Sequence, residues 1–314
     1  SEVSENGDVI VKIGGDATLD VSKEYIKWNK NTSVNYDINV QKSNTTDNTL
    51  KTDENGKYVE YVVDVTSQKG TPDVITLNDV LDSGKMSIDI SKFSYTITKN
   101  GQSVGNEYSA TVSADEKNDN NNHKYNLQAT LPKLNEGEYC QIKYKYYFDT
   151  SLCDNGSESH ASNNVSGESI DKKTNEKVID TSSSAVKYVR DDLDKTGEYD
   201  TQKQTIKWTI TVNKERNDIV GATLTDNCLN KAKNLIIKSE QDPTVKGARI
   251  EYDENGNISS IKFDSVDNNK NDSTYTITYE TDAPQKHDDY RVDNQVCFTK
   301  DVSFYKWSSV NVPG

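Results

Sequence analysis

Apolar and polar residues alternate along most of this chain. Ile206, Trp208, Ile210 and Val212 share one parity with polar residues between them. After a polar loop, Ala222, Leu224, Asp226 and Cys228 do the same. Side chains two apart on a strand share a face, so each run predicts a strand with one buried and one wet side. An earlier stretch repeats the plan, with Val59, Tyr61, Val63 and Val65, the turn SQKGTPD, then Ile75, Leu77, Asp79 and Leu81. Tyr61 and Asp79 are eighteen residues apart, as are Trp208 and Asp226. This spacing predicts two copies of one domain, each with an acid on an inward face.

The rest of the chain extends the repeat. Ile38, Val40 and Lys42 form an inward stripe, and Lys42-Ser-Asn matches Lys195-Thr-Gly. Met86 to Val112 reads as further strands turning at Lys99 to Gln102, and DEKNDNNNH from Asp115 reads as a polar hairpin tip. QIKYKYYFDT matches STYTITYETD, and Asn255-Gly256 marks another hairpin. Ala161, Asn163 and Val165 match Val292, Asn294 and Val296, and SSSAV matches the terminal SSVNV. Many short strands with turn signals and no long helical periodicity predict an all-β chain of two tandem immunoglobulin-like sandwiches. The expected domains are 1–186, with an N-terminal extension over 1–30, and 187–314, joined by a short linker that restricts bending. DVIVKIGG in the extension reads as a leading strand or the tail of a preceding domain.

Composition narrows the function. Only 32% of the 314 residues are hydrophobic and the net charge is -14. An acidic surface argues against nucleic acid and anionic membranes, and no apolar run is long enough to span a bilayer. The ends, Ser1 and Gly314, read as cuts from a longer protein. His123, His160 and His287 are scattered, and neither the cysteine spacings nor the Asp/Asn-rich loop fits a metal site, so no metal or cofactor is expected. Two cysteines fall in each copy. The pairs Cys140–Cys153 and Cys228–Cys297 could form in an oxidising compartment, with four free thiols as the alternative. No nucleophile motif or phosphate loop stands out, and paired carboxylates mean little in so acidic a chain.

Each copy places a lysine, an aspartate and an asparagine on inward parity: Lys42, Asp79 and Asn163, then Lys195, Asp226 and Asn294. Burial lowers a lysine pKa and raises an aspartate pKa. A neutral amine can attack the carboxamide carbon of asparagine while the acid polarises it, expelling ammonia and leaving an amide cross-link between the first and last strands. The fold supplies the proximity, and the event happens once per molecule. Taken singly, an inward lysine is usually an edge residue reaching water and an aspartate near a turn is usually a cap. The trio recurring in one order favours the reaction. Asn164 competes with Asn163, and Lys23 and Lys27 compete with Lys42.

Lys195-Thr-Gly, IKWTITVN from Ile206, TLTD ending at Asp226 and the strand around Asn294 resemble the immunoglobulin-like isopeptide domains of Gram-positive surface adhesins and pilins. The resemblance spans about residues 30 to 314. It implies that Lys195 bonds Asn294 with help from Asp226, and that Lys42 bonds Asn163 with help from Asp79. It implies an extracellular, cell-wall-anchored protein with further domains, acting as an adhesive or structural segment without turnover. A host matrix protein or glycan is the implied ligand class, and a pilus shaft subunit is the alternative role. The cell-wall sorting signal and an internal thioester motif, both found in such proteins, are not evident.

Overall fold

The computed structural model describes residues 36–171 and 174–314, and before them the backbone of four short strands. These are β1 (Glu2–Val3) paired with β2 (Val9–Ile10), and β3 (Asp16–Val21) paired with β4 (Ile26–Asn31). Of DVIVKIGG, read as a leading strand or the tail of a preceding domain, Val9–Ile10 is paired, and the rest of that stretch lies outside the described residues. The chain divides into two compact units. The first takes the chain up to Asp149 and then Ser159–Tyr188, and the second takes Thr150–Glu158 and Val189–Gly314. Val186, the expected end of the first domain, lies inside a strand that runs on to Val189.

In the first unit the strands are β5 (Asp37–Asn44), β6 (Lys51–Asp53), β7 (Gly56–Lys69), β8 (Thr76–Gly84), β9 (Ser87–Ile88) and β10 (Ser94–Lys99). They continue as β11 (Gln102–Ser103), β12 (Ala110–Ala114), β13 (His123–Thr130), β14 (Tyr139–Asp149), β15 (Glu158–Ile170) and β16 (Lys177–Val189). One sheet has the order β11-β10-β14-β7-β5, with β6 on β7 and β9 on β14. The other has the order β12-β13-β8-β15-β16. The alternation read from sequence gives the buried faces: Val59, Tyr61, Val63 and Val65 on β7 and Leu77, Asp79 and Leu81 on β8 are all buried. The two sheets end at β5 and β16. There Asp180 accepts the Val40 N–H at 2.6 Å and Ser182 Oγ accepts the Lys42 N–H at 2.8 Å. Side chains of β16 thus satisfy backbone donors on the open edge of β5, which would otherwise lack partners.

The second unit repeats this layout in β17 (Leu193–Asp200), β18 (Thr205–Val212), β19 (Thr223–Asp226), β20 (Lys233–Ser239), β21 (Ala248–Tyr252), β22 (Ile258–Phe263), β23 (Tyr275–Asp282), β24 (Tyr290–Thr299) and β25 (Ser303–Val312). Its sheets have the orders β17-β18-β23-β20 and β21-β22-β19-β24-β25. Trp208, Ile210, Ile277 and Tyr279 from one sheet and Leu224, Phe263, Val296 and Phe298 from the other build a single core. Gly197 opposes Trp208 across β17 and β18, and a Cβ there would lie 2.5 Å from the indole ring. The glycine of Lys195-Thr-Gly is therefore what lets a tryptophan fill the core beside the lysine. In the same unit, buried Arg190 pairs with Asp192 at 3.0 Å and donates to the carbonyls of Ser151 and Cys153, each at 3.0 Å.

None of the four cysteines is in a disulfide. Cys140 is buried on β14 of the first unit, whereas Cys153 belongs to the second. Cys297 has the opposite parity on β24 to the buried Asn294, Val296 and Phe298, while Cys228 packs against the core. Neither of the two possible pairs forms in this structure, and the alternative of four unbridged cysteines holds.

Candidate functional site

Each unit buries its lysine, aspartate and asparagine in one core, in matching register. Lys42 pairs with Val63 on the neighbouring strand, and Lys195 with Ile210. Asp79 lies opposite Val165 and Asp226 opposite Val296, with Asn163 and Asn294 each two residues earlier on those strands. The lysine thus projects from the edge strand of one sheet, and the acid and carboxamide project from two adjacent strands of the other. Asn163 and Asn294 lie on the next-to-last strand of each unit, not on the last strand as expected. Asn164 is exposed, and Lys23 and Lys27 are outside the residues with described side chains.

In the first unit Lys42 Nζ donates to Asp79 Oδ2 at 2.5 Å, and both side chains are fully shielded from solvent. Lys42 Nζ also donates to the Tyr144 hydroxyl, which in turn donates to Asp79 Oδ2 at 2.5 Å. The amine lies 4.3 Å from the Tyr61 ring centre and 4.7 Å from that of Tyr144. Burial pushes the Lys42 amine down to about 8, against the opposing pull of the Asp79 charge. Asn163 is completely buried, and neither of its amide atoms has a hydrogen-bond partner. Asp79 Oδ1 is likewise without one. A buried unpaired amide costs about 1–3 kcal/mol and calls for an explanation.

The second site has the same members. Lys195 Nζ donates to Asp226 Oδ2, again with both side chains sealed from solvent. The Tyr279 hydroxyl donates to Asp226 Oδ1 at 2.6 Å and accepts from Lys195 Nζ at 3.3 Å and from Asn294 Nδ2 at 2.7 Å. Asn294 Oδ1 is buried without a partner. Burial holds the Lys195 amine below its ordinary value and is the largest influence raising the Tyr279 phenol above its own. The amine sits 5.2 Å from the Trp208 ring.

Tyr144 and Tyr279 escaped the reading of the sequence. They are equivalent, since Tyr144 pairs with Tyr61 and Tyr279 with Trp208. The signal was an Ile-x-Tyr shared by two strands already matched, Ile142-Lys-Tyr144 and Ile277-Thr-Tyr279. Among the described residues, no group of three or more His, Cys, Asp or Glu side chains is placed to hold a metal ion. Among the described residues, too, no helix is long and apolar enough to cross a membrane.

No protein-family model matches the chain, and no curated protein matches it. Solved structures similar to it include domains of Gram-positive surface adhesins and pilins. The C-terminal domain of the Streptococcus agalactiae AgI/II polypeptide BspA is 9% identical, with a TM-score of 0.33, covering 87% of this chain and 100% of that one. The collagen adhesin of S. aureus is 11% identical, with a TM-score of 0.28, covering 88% and 94%. Domains D2 and D3 of the major pilin SpaD from Corynebacterium diphtheriae are 11% identical, with a TM-score of 0.33, covering 85% and 82%.

Proposed function

We propose that this chain is a structural and adhesive segment of a bacterial cell-surface protein whose two units each lock themselves with one lysine–asparagine amide bond. The observation that carries this reading is a sealed lysine–aspartate pair in one core with a buried asparagine, repeated at the same register in both units. Such a pair is costly as a stabilising device, because two desolvated charges repay little of their burial. It suits a reaction. Transfer of a proton from Nζ to the carboxylate leaves a neutral amine and an acid, with no net change of charge. The amine attacks Cγ of the asparagine, the Cγ–Nδ2 bond breaks, and ammonia leaves. The fold holds the reactants together and the apolar walls keep water from competing. Because the lysine is consumed, each unit reacts once.

On this reading the protein works outside the cell, anchored to the wall with further domains of the same chain. The test is intact mass under denaturing, reducing conditions. Two bonds remove two molecules of ammonia from the calculated mass, and Lys195→Ala restores one. A wild-type mass equal to the calculated one sinks the cross-links and leaves the sandwiches standing.

An adhesive role has its own observation. Tyr305 and Trp307 stand on β25 with 54% and 56% exposure, beside Cys297 and Gln295 of β24. Two exposed aromatic rings on one sheet face suit stacking against sugar rings or an extended matrix protein. Binding to panels of glycans and matrix proteins that falls in Trp307→Ala supports this role, and absence of binding leaves a stalk.

A further inference from the structure

The Tyr279 hydroxyl is in hydrogen-bonding contact with all three members of the second site: the amine of Lys195, the carboxylate of Asp226 and Nδ2 of Asn294. A buried tyrosine hydroxyl usually needs one partner, so three convergent partners ask for more than satisfaction of a polar atom. Nδ2 is also the atom that must depart if Lys195 attacks Asn294. An amide nitrogen is a poor leaving group until it takes up a proton, and the site is closed to water that could supply one.

We propose that Tyr279 is a catalytic residue of this unit, carrying a proton from Lys195 Nζ to the departing Nδ2 of Asn294; the proposal rests on the cross-linking reading above. The balance is complete within the site. One Nζ proton passes to Asp226 Oδ2. The Nζ–Cγ bond then forms, and the carbonyl π pair moves to Oδ1 of Asn294. Nζ is now cationic and gives a second proton to the Tyr279 oxygen, while the phenol proton, turned from Asp226 towards Asn294, goes to Nδ2. The Cγ–Nδ2 bond breaks with its electron pair on nitrogen, ammonia leaves and the carbonyl reforms. Tyr279 ends as it began, Asp226 ends protonated, and the third Nζ proton remains on the new amide. Burial keeps the phenol protonated, as a proton carrier must be at neutral pH.

The first unit supplies a contrast. Tyr144 bonds Lys42 and Asp79 as its counterpart does, but both amide atoms of Asn163 are unpartnered. In this structure the relay geometry is therefore complete in the second unit only.

The test is cell-free synthesis of the full chain, with intact mass followed over time and the Lys195–Asn294 peptide quantified after proteolysis. Tyr279→Phe is expected to slow formation of that bond at least about a hundredfold, the usual worth of positioned proton transfer. The Lys42–Asn163 bond in the same molecules reports that synthesis and handling are sound. Circular dichroism and thermal unfolding of the variant show whether the second unit folds. Should it not, 3,5-difluorotyrosine placed at 279 keeps the shape, makes the phenol more acidic and should change the rate several-fold. A wild-type bond that forms equally fast in Tyr279→Phe, or a rate insensitive to difluorotyrosine, overturns the relay and leaves the cross-link intact. A wild-type chain that never loses ammonia overturns both.

Discussion

A lysine amine ordinarily holds its proton to about pH 10.5, but Lys42, sealed between Tyr61, Tyr144 and Asp79, gives it up near 8. The consequence can be measured where the cross-link cannot form, in Asn163→Ala. Between these two values the unfolded chain holds a proton that the folded chain has lost. The unfolded state binds more protons there, so stability rises with pH across that window. Below it the full penalty of burying the charge applies, about 3 kcal/mol. Tyr61, Tyr144 and Tyr146 face the same pocket, and burial raises all three phenols, so near pH 10 and above they pull stability down again. Urea midpoints of Asn163→Ala should therefore climb between about pH 7.5 and 9.5. In Asn163→Ala with Lys42→Met the climb should vanish, and a climb that persists would assign it to another group. Lys42 and Asp79 could be found from sequence because each breaks an apolar stripe. Tyr144 could not be found that way, since a tyrosine inside an apolar stripe looks like ordinary core. Its role shows only when its hydroxyl is seen bonded to the pair.

At the scale of the element, period-two alternation was enough to orient β7, β8, β18 and β24, because a strand with one wet face cannot slip by a residue without exposing its core. The same parity rule bears on Cys297. Cys228 lies in the turn just past β19, beyond the reach of the rule, and packs against the core, whereas Cys297, three residues after Asn294, has the opposite parity to the core-facing residues of β24. What alternation cannot reveal is how a sheet edge is finished. In the sequence SSSAV shows only as a match to the terminal SSVNV, and the fold alone shows Asp180 and Ser182 taking the backbone N–H groups of Val40 and Lys42. These bonds hold the strand that carries Lys42. Losing both acceptors leaves two donors on the β5 edge, and each should cost about 1–3 kcal/mol if water does not replace the partner. Asp180→Ala with Ser182→Ala should thus lower stability and speed hydrogen exchange at Val40 and Lys42, measurable residue by residue. Exchange at wild-type rates would mean that the edge is held by β7 alone.

For the whole molecule, what matters is which stretches of chain each bond would close. A Lys42–Asn163 bond would close most of the first unit and a Lys195–Asn294 bond most of the second, and the two loops would share no residues. By the chain-entropy relation used for disulfides, a loop of about 100 residues stabilises by about 5 kcal/mol. A bond of this kind also stops the chain enclosed by it from being drawn out under tension, whatever the stability of the strands. Lys195→Ala should therefore lower the unfolding free energy of the second unit by several kcal/mol, and Lys42→Ala should do the same in the first. With separate loops, the double variant should show the two losses combined, as expected of sites that share no partners. Calorimetry of the four proteins checks this directly, and force spectroscopy adds a sharper reading. Wild type should yield no extension from either closed loop, while each lysine variant should release the contour length of its own unit. A single variant that released both lengths would show that the two locks depend on each other, and wild type that extended fully would remove them from the mechanics of this protein.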